Sequence, residues 1–349
     1  MDLNSETNPQ TPAVNPLKAA RSRSDRGFHE GWFLKLNDRS GTQALWLRFT
    51  TLVTHNGFQR IAETWAVFFQ RAPGREITKS ALRQRYPISA FSRDPSAIDS
   101  SVRVADCLLS RNGSRGSVQF KGRAIQWDLR LQDVHEKSIC FVPESLKRLG
   151  IIKNDYWTLS ENLHANGTVT VDGTVYEFKD STAMLAHISG PKSGHSWVWG
   201  QANSFVDDKG QAVPFVFEGI TAKSRLPGSL NSPRMSSFYF FYRGQHYQFS
   251  SVWDALHLKS KSTITEWNFQ ADRGDLSFRG TVKAEHKDFA GLTYEDTDGS
   301  LLYCANSKLS TMTVHVYRRG KLEATLVANG TAAFEVVSRR KNPYIKTLI

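Results

Sequence analysis

The stretch GSVQFKGRAIQWDLRL, Gly116–Leu131, decides the fold class. Val118 and Phe120, then Ile125, Trp127, Leu129 and Leu131, recur at every second position with polar residues between them. A period of two places alternate side chains on opposite faces of an extended chain, which is the mark of a strand with one buried face. The same style runs outward in both directions. Upstream stand Trp32–Leu36, a turn at Gly41, Ala44–Thr50 and Arg60–Gln70. Downstream stand Phe238–Tyr242, Gln245–Phe249, Thr263–Gln270, Leu276–His286, Thr311–Arg318 and Leu322–Val337. Between strands recur Asn112-Gly113, Asn166-Gly167, Asp172-Gly173, Asp298-Gly299 and Asn329-Gly330, dipeptides that supply the positive φ angles of tight hairpins. Helical periodicity is weak, with short helices expected only around Ile77–Arg85 and Pro143–Leu149. Many short antiparallel strands with regular turns predict an all-β sandwich or barrel architecture.

Composition narrows the function classes. The 349 residues suffice for two domains, and nine Trp with 21 Phe are enough aromatic surface to fill cores or line a cavity. The net charge of +12 raises the question of a nucleic-acid or anionic-membrane partner. The basic residues are scattered, however. Their densest runs are Arg21, Arg23 and Arg26, and Arg339, Arg340 and Lys341. With no zinc-finger spacing, RNA-recognition aromatic motif or basic helix, no nucleic-acid partner is expected; peripheral contact with an anionic membrane stays open. Cys107, Cys140 and Cys304 lack CxxC spacing and fit a reducing compartment. A polar N-terminus without a signal-peptide core, and the lack of an apolar run of ~20 residues, make the cytoplasm the expected location.

Residues 1–26, with Pro9, Pro12 and Pro16, read as a disordered leader. An internal echo follows. Phe28-His29-Glu30-Gly31-Trp32-Phe33 and Gly194-His195-Ser196-Trp197-Val198-Trp199 each set a His just ahead of a Trp at the start of a strand series. The intervening Gly190-Pro191-Lys192-Ser193-Gly194 has the composition of a linker, dividing the chain into domains 27–190 and 191–349.

These segments resemble a known family. Phe28–Phe33 is similar to the FxEGWYF opening of tocopherol cyclases. Tyr176-Glu177-Phe178-Lys179-Asp180 followed by Trp197–Phe205 is similar to their FEFRD…WYWxQxNxF signature. More loosely, Arg225-Leu226-Pro227-Gly228 is similar to RxLPG, and Tyr242–Phe249 to YDGKxYEF. The resemblance spans about residues 28–337 and is densest over 172–250. It implies two lipocalin-like (calycin) antiparallel β-barrel domains with a few short helices, each barrel mouth able to hold an apolar ligand. The related superfamily includes carotenoid hydratases. One stretch departs: where tocopherol cyclases have Glu-Lys-Asn-Trp-Gly, this chain has Ala186-His187-Ile188-Ser189-Gly190. The acid and the Trp of that stretch are replaced, so fold transfers further than reaction.

A cyclase of this type protonates an alkene and lets a phenol oxygen capture the cation. It needs an acid in an apolar pocket and aromatic faces worth ~0.5–2 kcal/mol each to the cation. Glu30, beside Trp32, is the first candidate acid, against a plain salt-bridge role; His195 and His187 are the others, against simple exposure. Trp197, Trp199, Gln201, Asn203 and Phe205 are all odd-numbered and read as one strand face, either a ligand wall or a domain-interface strand whose amides bond to backbone. Arg225, which would steer an anionic or phenolic head group, and Trp253 complete the candidates. No metal-ligand spacing, phosphate-cradling loop, dinucleotide fingerprint or nucleophile elbow occurs, so no cofactor and no metal are expected. Three readings follow: a cofactor-independent cyclase, hydratase or isomerase acting on an isoprenoid or other hydrophobic small molecule; a non-catalytic carrier or sensor of such a ligand; and a basic surface that binds nucleic acid or an anionic membrane.

Overall fold

The computed structural model describes residues 27–93, 101–135, 137–148, 150, 152–225 and 230–349. The expected leader (1–26) and Leu226-Pro227-Gly228 of the RxLPG match lie outside them. Twelve strands form a first antiparallel sheet: β1 (Phe28–Asn37), β2 (Gln43–Val53), β3 (Arg60–Arg71), β4 (Ile77–Pro87), β5 (Phe91–Arg93), β6 (Val102–Val104), β7 (Cys107–Leu109), β8 (Gly113–Phe120), β9 (Arg123–Asp133), β10 (Ile139–Cys140), β11 (Asp155–Val171) and β12 (Thr174–Gly190). Their order is β4-β3-β2-β1-β12-β11-β9-β8-β7-β6-β5, with β10 beside β11. The sheet curls until β8 meets β4, where Gln119 N–H donates to Gln84 Oε1 at 3.2 Å.

A second sheet repeats the plan with β13 (Ser196–Ala202), β14 (Phe205–Val206), β15 (Ala212–Val213), β16 (Phe215–Lys223), β17 (Met235–Tyr242), β18 (Gln245–Phe249), β19 (Lys259–Ser262), β20 (Glu266–Arg273), β21 (Leu276–Lys283), β22 (Ala290–Glu295), β23 (Leu301–Arg318) and β24 (Lys321–Ser338). In both sheets the first long strand lies between the next long strand and the last strand: β1 pairs with β2 and β12, and β13 with β16 and β24. Two short helices, α1 (Glu144–Arg148) and α2 (Val252–His257), are the α-helices among the described residues. The protein is thus all-β, built of two lipocalin-like barrels.

Alternation decides what each strand does. On β1 the even residues Trp32, Leu34 and Leu36 point into the first barrel, with Leu45, Leu47 and Phe49 of β2 and Trp127 and Leu129 of β9. The second barrel is filled by aromatic rings: Phe217 stacks on Phe269 at 4.1 Å and Phe240 on Phe278 at 4.2 Å between centroids. The odd residues of β1 and β13 face the other barrel instead. Trp46, Trp65 and Phe69 meet Leu292, Tyr294 and Leu302 in one apolar joint, and Tyr156, Met184 and Ala186 meet Trp199, Val216 and Tyr239 in another.

Two expectations change. Ile77–Arg85 is not helical but forms most of β4, paired with β3 along its whole length. Leu82 enters the first barrel core while Ile77 and Ala81 cover the joint, so burial on both faces outweighs local propensity. Asn166-Gly167 and Asn329-Gly330 do not close hairpins. They lie inside β11 and β24, the former at a register shift of the β11–β12 pair. The helix expected near Pro143–Leu149 is α1, and Asp172-Gly173 does turn β11 into β12 with φ of 49° and 87°.

Candidate functional site

Between the barrels, where the two outward faces splay apart, lies a cleft of about 210 Å³. A cavity of ~150 Å³ already holds a benzene-sized molecule. Its walls are aromatic: Phe33, Trp46 and Trp65 from the first sheet, Trp197, Trp199 and Tyr294 from the second, with Tyr156 of β11. Phe33 meets Trp199 edge-on at 5.7 Å and stacks on Tyr156 at 6.3 Å. Polar groups enter from His29, Arg48, Glu63 and Glu335.

Next to this aromatic wall lies a layer of buried charge. Glu218, on β16 in the apolar run Phe215-Val216-Phe217-Glu218, is fully buried. Its Oε1 accepts from the Tyr156 hydroxyl and, at 3.1 Å, from Trp199 Nε1–H; its Oε2 accepts from Thr158 Oγ1–H at 2.7 Å. Burial pushes its carboxyl up to about 7 against the pull of these three donors. The same burial and the carboxylate beside it hold the Tyr156 phenol well above its ordinary value. Lys308 donates to Glu335 at 2.9 Å and lies over the Trp46 and Trp199 rings at 5.4 and 5.3 Å. Lys35 is also fully buried, yet among the described residues it donates only to Thr331 O at 3.0 Å and Asn203 Oδ1 at 3.4 Å. Burial and nearby Lys308 therefore drive its ammonium well below its ordinary value.

The residues expected from sequence fall into separate places. Trp197 and Trp199 line the cleft. Gln201 and Asn203 continue their face but tie the barrels together: Asn203 Nδ2–H donates to Ala183 O at 2.8 Å, and Gln201 Nε2–H to Glu161 O at 3.3 Å. Phe205 leaves that face, because β13 ends at Ala202; it packs in the second barrel core against Phe215 at 4.8 Å. Glu30, Trp32 and His187 come together inside the first barrel. There His187 Nε2 lies 2.8 Å from Glu30 Oε1 and the imidazole stacks on Trp32 at 4.6 Å. Glu30 Oε2 has no hydrogen-bond partner among the described residues. His195 sits beside the start of β13 with its imidazole lowered by partial burial and by Arg339, Lys223 and Arg225. The Arg225 guanidinium is already matched by Asp298 at 2.9 Å and Asp296 at 3.6 Å. Trp253 stands on α2, 74% exposed.

His29, Arg48, Tyr156 and Glu218 were not weighed from sequence. The available signal was a single ionisable residue inside an apolar run, as in Leu45-Trp46-Leu47-Arg48-Phe49 and around Glu218, since such a group stays buried only with a reason. Among the described residues no three His, Cys, Asp or Glu side chains converge as a metal site, and no helix is long and apolar enough to cross a membrane.

Two antiparallel barrels packed face to face around an aromatic cleft define a protein of the lipocalin-like class of folds. Residues 150–337 match the tocopherol cyclase-like family, and the chain belongs to that family. Among solved structures it is similar to kievitone hydratase from Nectria haematococca, at 10% identity, TM-score 0.53 and 88% coverage of each chain. It is also similar to CghA in complex with Sch210972, at 10% identity, TM-score 0.57 and 90% coverage of each chain. No curated protein matches it by sequence.

Proposed function

We propose that the interbarrel cleft binds a hydrophobic small molecule, an isoprenoid or a prenylated aromatic, and that Glu218 supplies the proton for its cyclisation, hydration or isomerisation. The observation that carries this reading is a carboxyl held near neutrality one hydrogen bond behind a cleft residue, Tyr156. When Glu218 is protonated, its O–H donates to the Tyr156 oxygen and frees the phenol O–H to point into the cleft. The phenol proton passes to a substrate double bond, forming a C–H bond, while Glu218 returns a proton to the tyrosine oxygen. The cation is captured by the substrate's own hydroxyl or by water, and the proton released at capture goes back through Tyr156 to Glu218. Trp46, Trp197 and Trp199 offer ring faces to the cation, each worth ~0.5–2 kcal/mol. The similarity in fold to a kievitone hydratase and to CghA bound to Sch210972 supports a ligand-binding cleft.

The test begins with organic extraction of the purified protein and identification of what it carried. With that compound or a prenylated quinol as substrate, Glu218→Gln is expected to lower turnover ~100-fold, within the range of general acid catalysis, and leave binding intact. Glu30→Gln, which alters the acid inside the first barrel, is expected to leave turnover unchanged. The reverse pattern would move the acid to the Glu30–His187 pair. A second reading, a carrier that returns its ligand unaltered, is favoured by the replacement of the family's Glu-Lys-Asn-Trp stretch with Ala186-His187-Ile188-Ser189. Extraction of bound compound together with the absence of any turnover would establish it.

A further inference from the structure

We infer that one end of the cleft is a carboxylate-binding site formed by Arg48 and His29, so that the ligand is a hydrophobic acid. The inference rests on the cleft being the ligand site. Arg48 projects from β2 away from the first barrel core, because its neighbours Leu47 and Phe49 take the inward positions. Its guanidinium lies 4.4 Å from the Tyr294 ring centroid and 5.7 Å from that of Trp65. It passes over Gly31, where a Cβ would sit in ordinary contact, 3.5 Å from Arg48 Nε and 3.7 Å from Nη2. The guanidinium thus lies beside the β1 backbone at the centre of the FHEGWF segment.

What Arg48 lacks is an acceptor. Among the described residues no carboxylate comes within 4.0 Å of it, and no side-chain or backbone oxygen accepts its N–H groups. The carboxylates that share the cleft are engaged elsewhere. Glu63 and Glu295 take Arg85, at 2.8 and 3.3 Å, and Glu335 takes Lys308 and Asn306. A half-buried guanidinium stacked on rings, with its donor edge unused, is a fork shaped for a carboxylate. A second observation points the same way. His29 is 7% exposed, lines the same cleft, and its Nδ1 has no hydrogen-bond partner among the described residues. Its imidazole is pushed down to about 4 by burial and stays neutral at physiological pH, so its ring nitrogen can add a hydrogen bond without a second charge.

Isothermal titration of the full chain with farnesoic acid and with methyl farnesoate tests this. The two probes share an isoprenoid tail and differ in the ionised head. The expected result is that the acid binds at least ~10-fold tighter, the scale of one charge-assisted hydrogen-bonded pair. Arg48→Met is expected to remove that preference by weakening the acid alone, with ester affinity serving as the check on folding. Arg48→Gln, which is shorter and still polar, takes its place should the Met variant unfold. Equal affinities in the unaltered protein, or a preference that survives loss of Arg48, would overturn the carboxylate site while leaving the cleft reading standing. No heat with either probe would overturn both.

Discussion

Glu218 shows how a single residue reports on its surroundings. Its carboxyl moves from an ordinary 4.5 to about 7 because burial disfavours the charge more than Tyr156, Thr158 and Trp199 favour it. A folded-state value above the unfolded one means that the stability this group contributes is fully present below pH 4.5 and is lost as pH rises through 7. The loss amounts to about 3 kcal/mol at 1.36 kcal/mol per pH unit. Glu218→Gln is therefore expected to flatten the stability curve between pH 5 and 8, measured by urea unfolding at several pH values. In the proposed mechanism catalysis has the same sign, because the acid form supplies the proton: turnover is expected to fall tenfold per pH unit above about 7, and this limb should disappear with Glu218→Gln. The sequence offered this residue as a lone acid in an apolar run, yet only its three donors, from β11 and β13, make it more than an oddity.

At the scale of elements, turns and strand crossings set the tolerance to change. Gly41, in the β1–β2 turn, and Gly330, within β24, face each other with φ of 70° each. A Cβ on Gly41 would lie 2.4 Å from Asn329 O, and one on Gly330 2.7 Å from Gly41 O. Gly173, in the β11–β12 turn, has φ of 87° but open space around it. Alanine at Gly173 is expected to cost about 1–2 kcal/mol, the price of the left-handed conformation alone. Alanine at Gly41 is expected to cost more, since the collision at the barrel joint adds to it; thermal unfolding of the two variants checks the order. The dipeptide Asn329-Gly330 was readable as a positive-φ site. That it marks contact between barrels rather than a hairpin depends on a chain segment nearly 300 residues away, which no local pattern reveals.

At the scale of the whole molecule, the two barrels share a joint that is apolar at its edges and charged within. Asn203 reaches from the end of β13 to Ala183 of β12, to Glu161 and Asn162 of β11 and to Lys35 of β1, so it bonds the second barrel to three strands of the first. Asn203→Ala is expected to cost about 2–3 kcal/mol, because buried Lys35 and the Ala183 carbonyl lose a partner together. Unfolding should remain one transition, with Trp fluorescence and far-UV circular dichroism coinciding; two separate transitions would show that the joint does not couple the barrels. By itself the sequence determined most of the strands, the doubled plan and the family, because period-two alternation, positive-φ turn dipeptides such as Asp172-Gly173 and short ordered motifs are local properties of the chain, whereas β4 read locally as a helix. It also selected the face Trp197, Trp199, Gln201 and Asn203, since alternation assigns sides. The tertiary structure decided what those sides meet. It put Glu30 and His187 inside a barrel, turned Phe205 into a core, and brought His29, Arg48, Tyr156 and Trp197 to one cleft, because a site between two domains is assembled from outward faces whose partners the chain supplies far away in sequence.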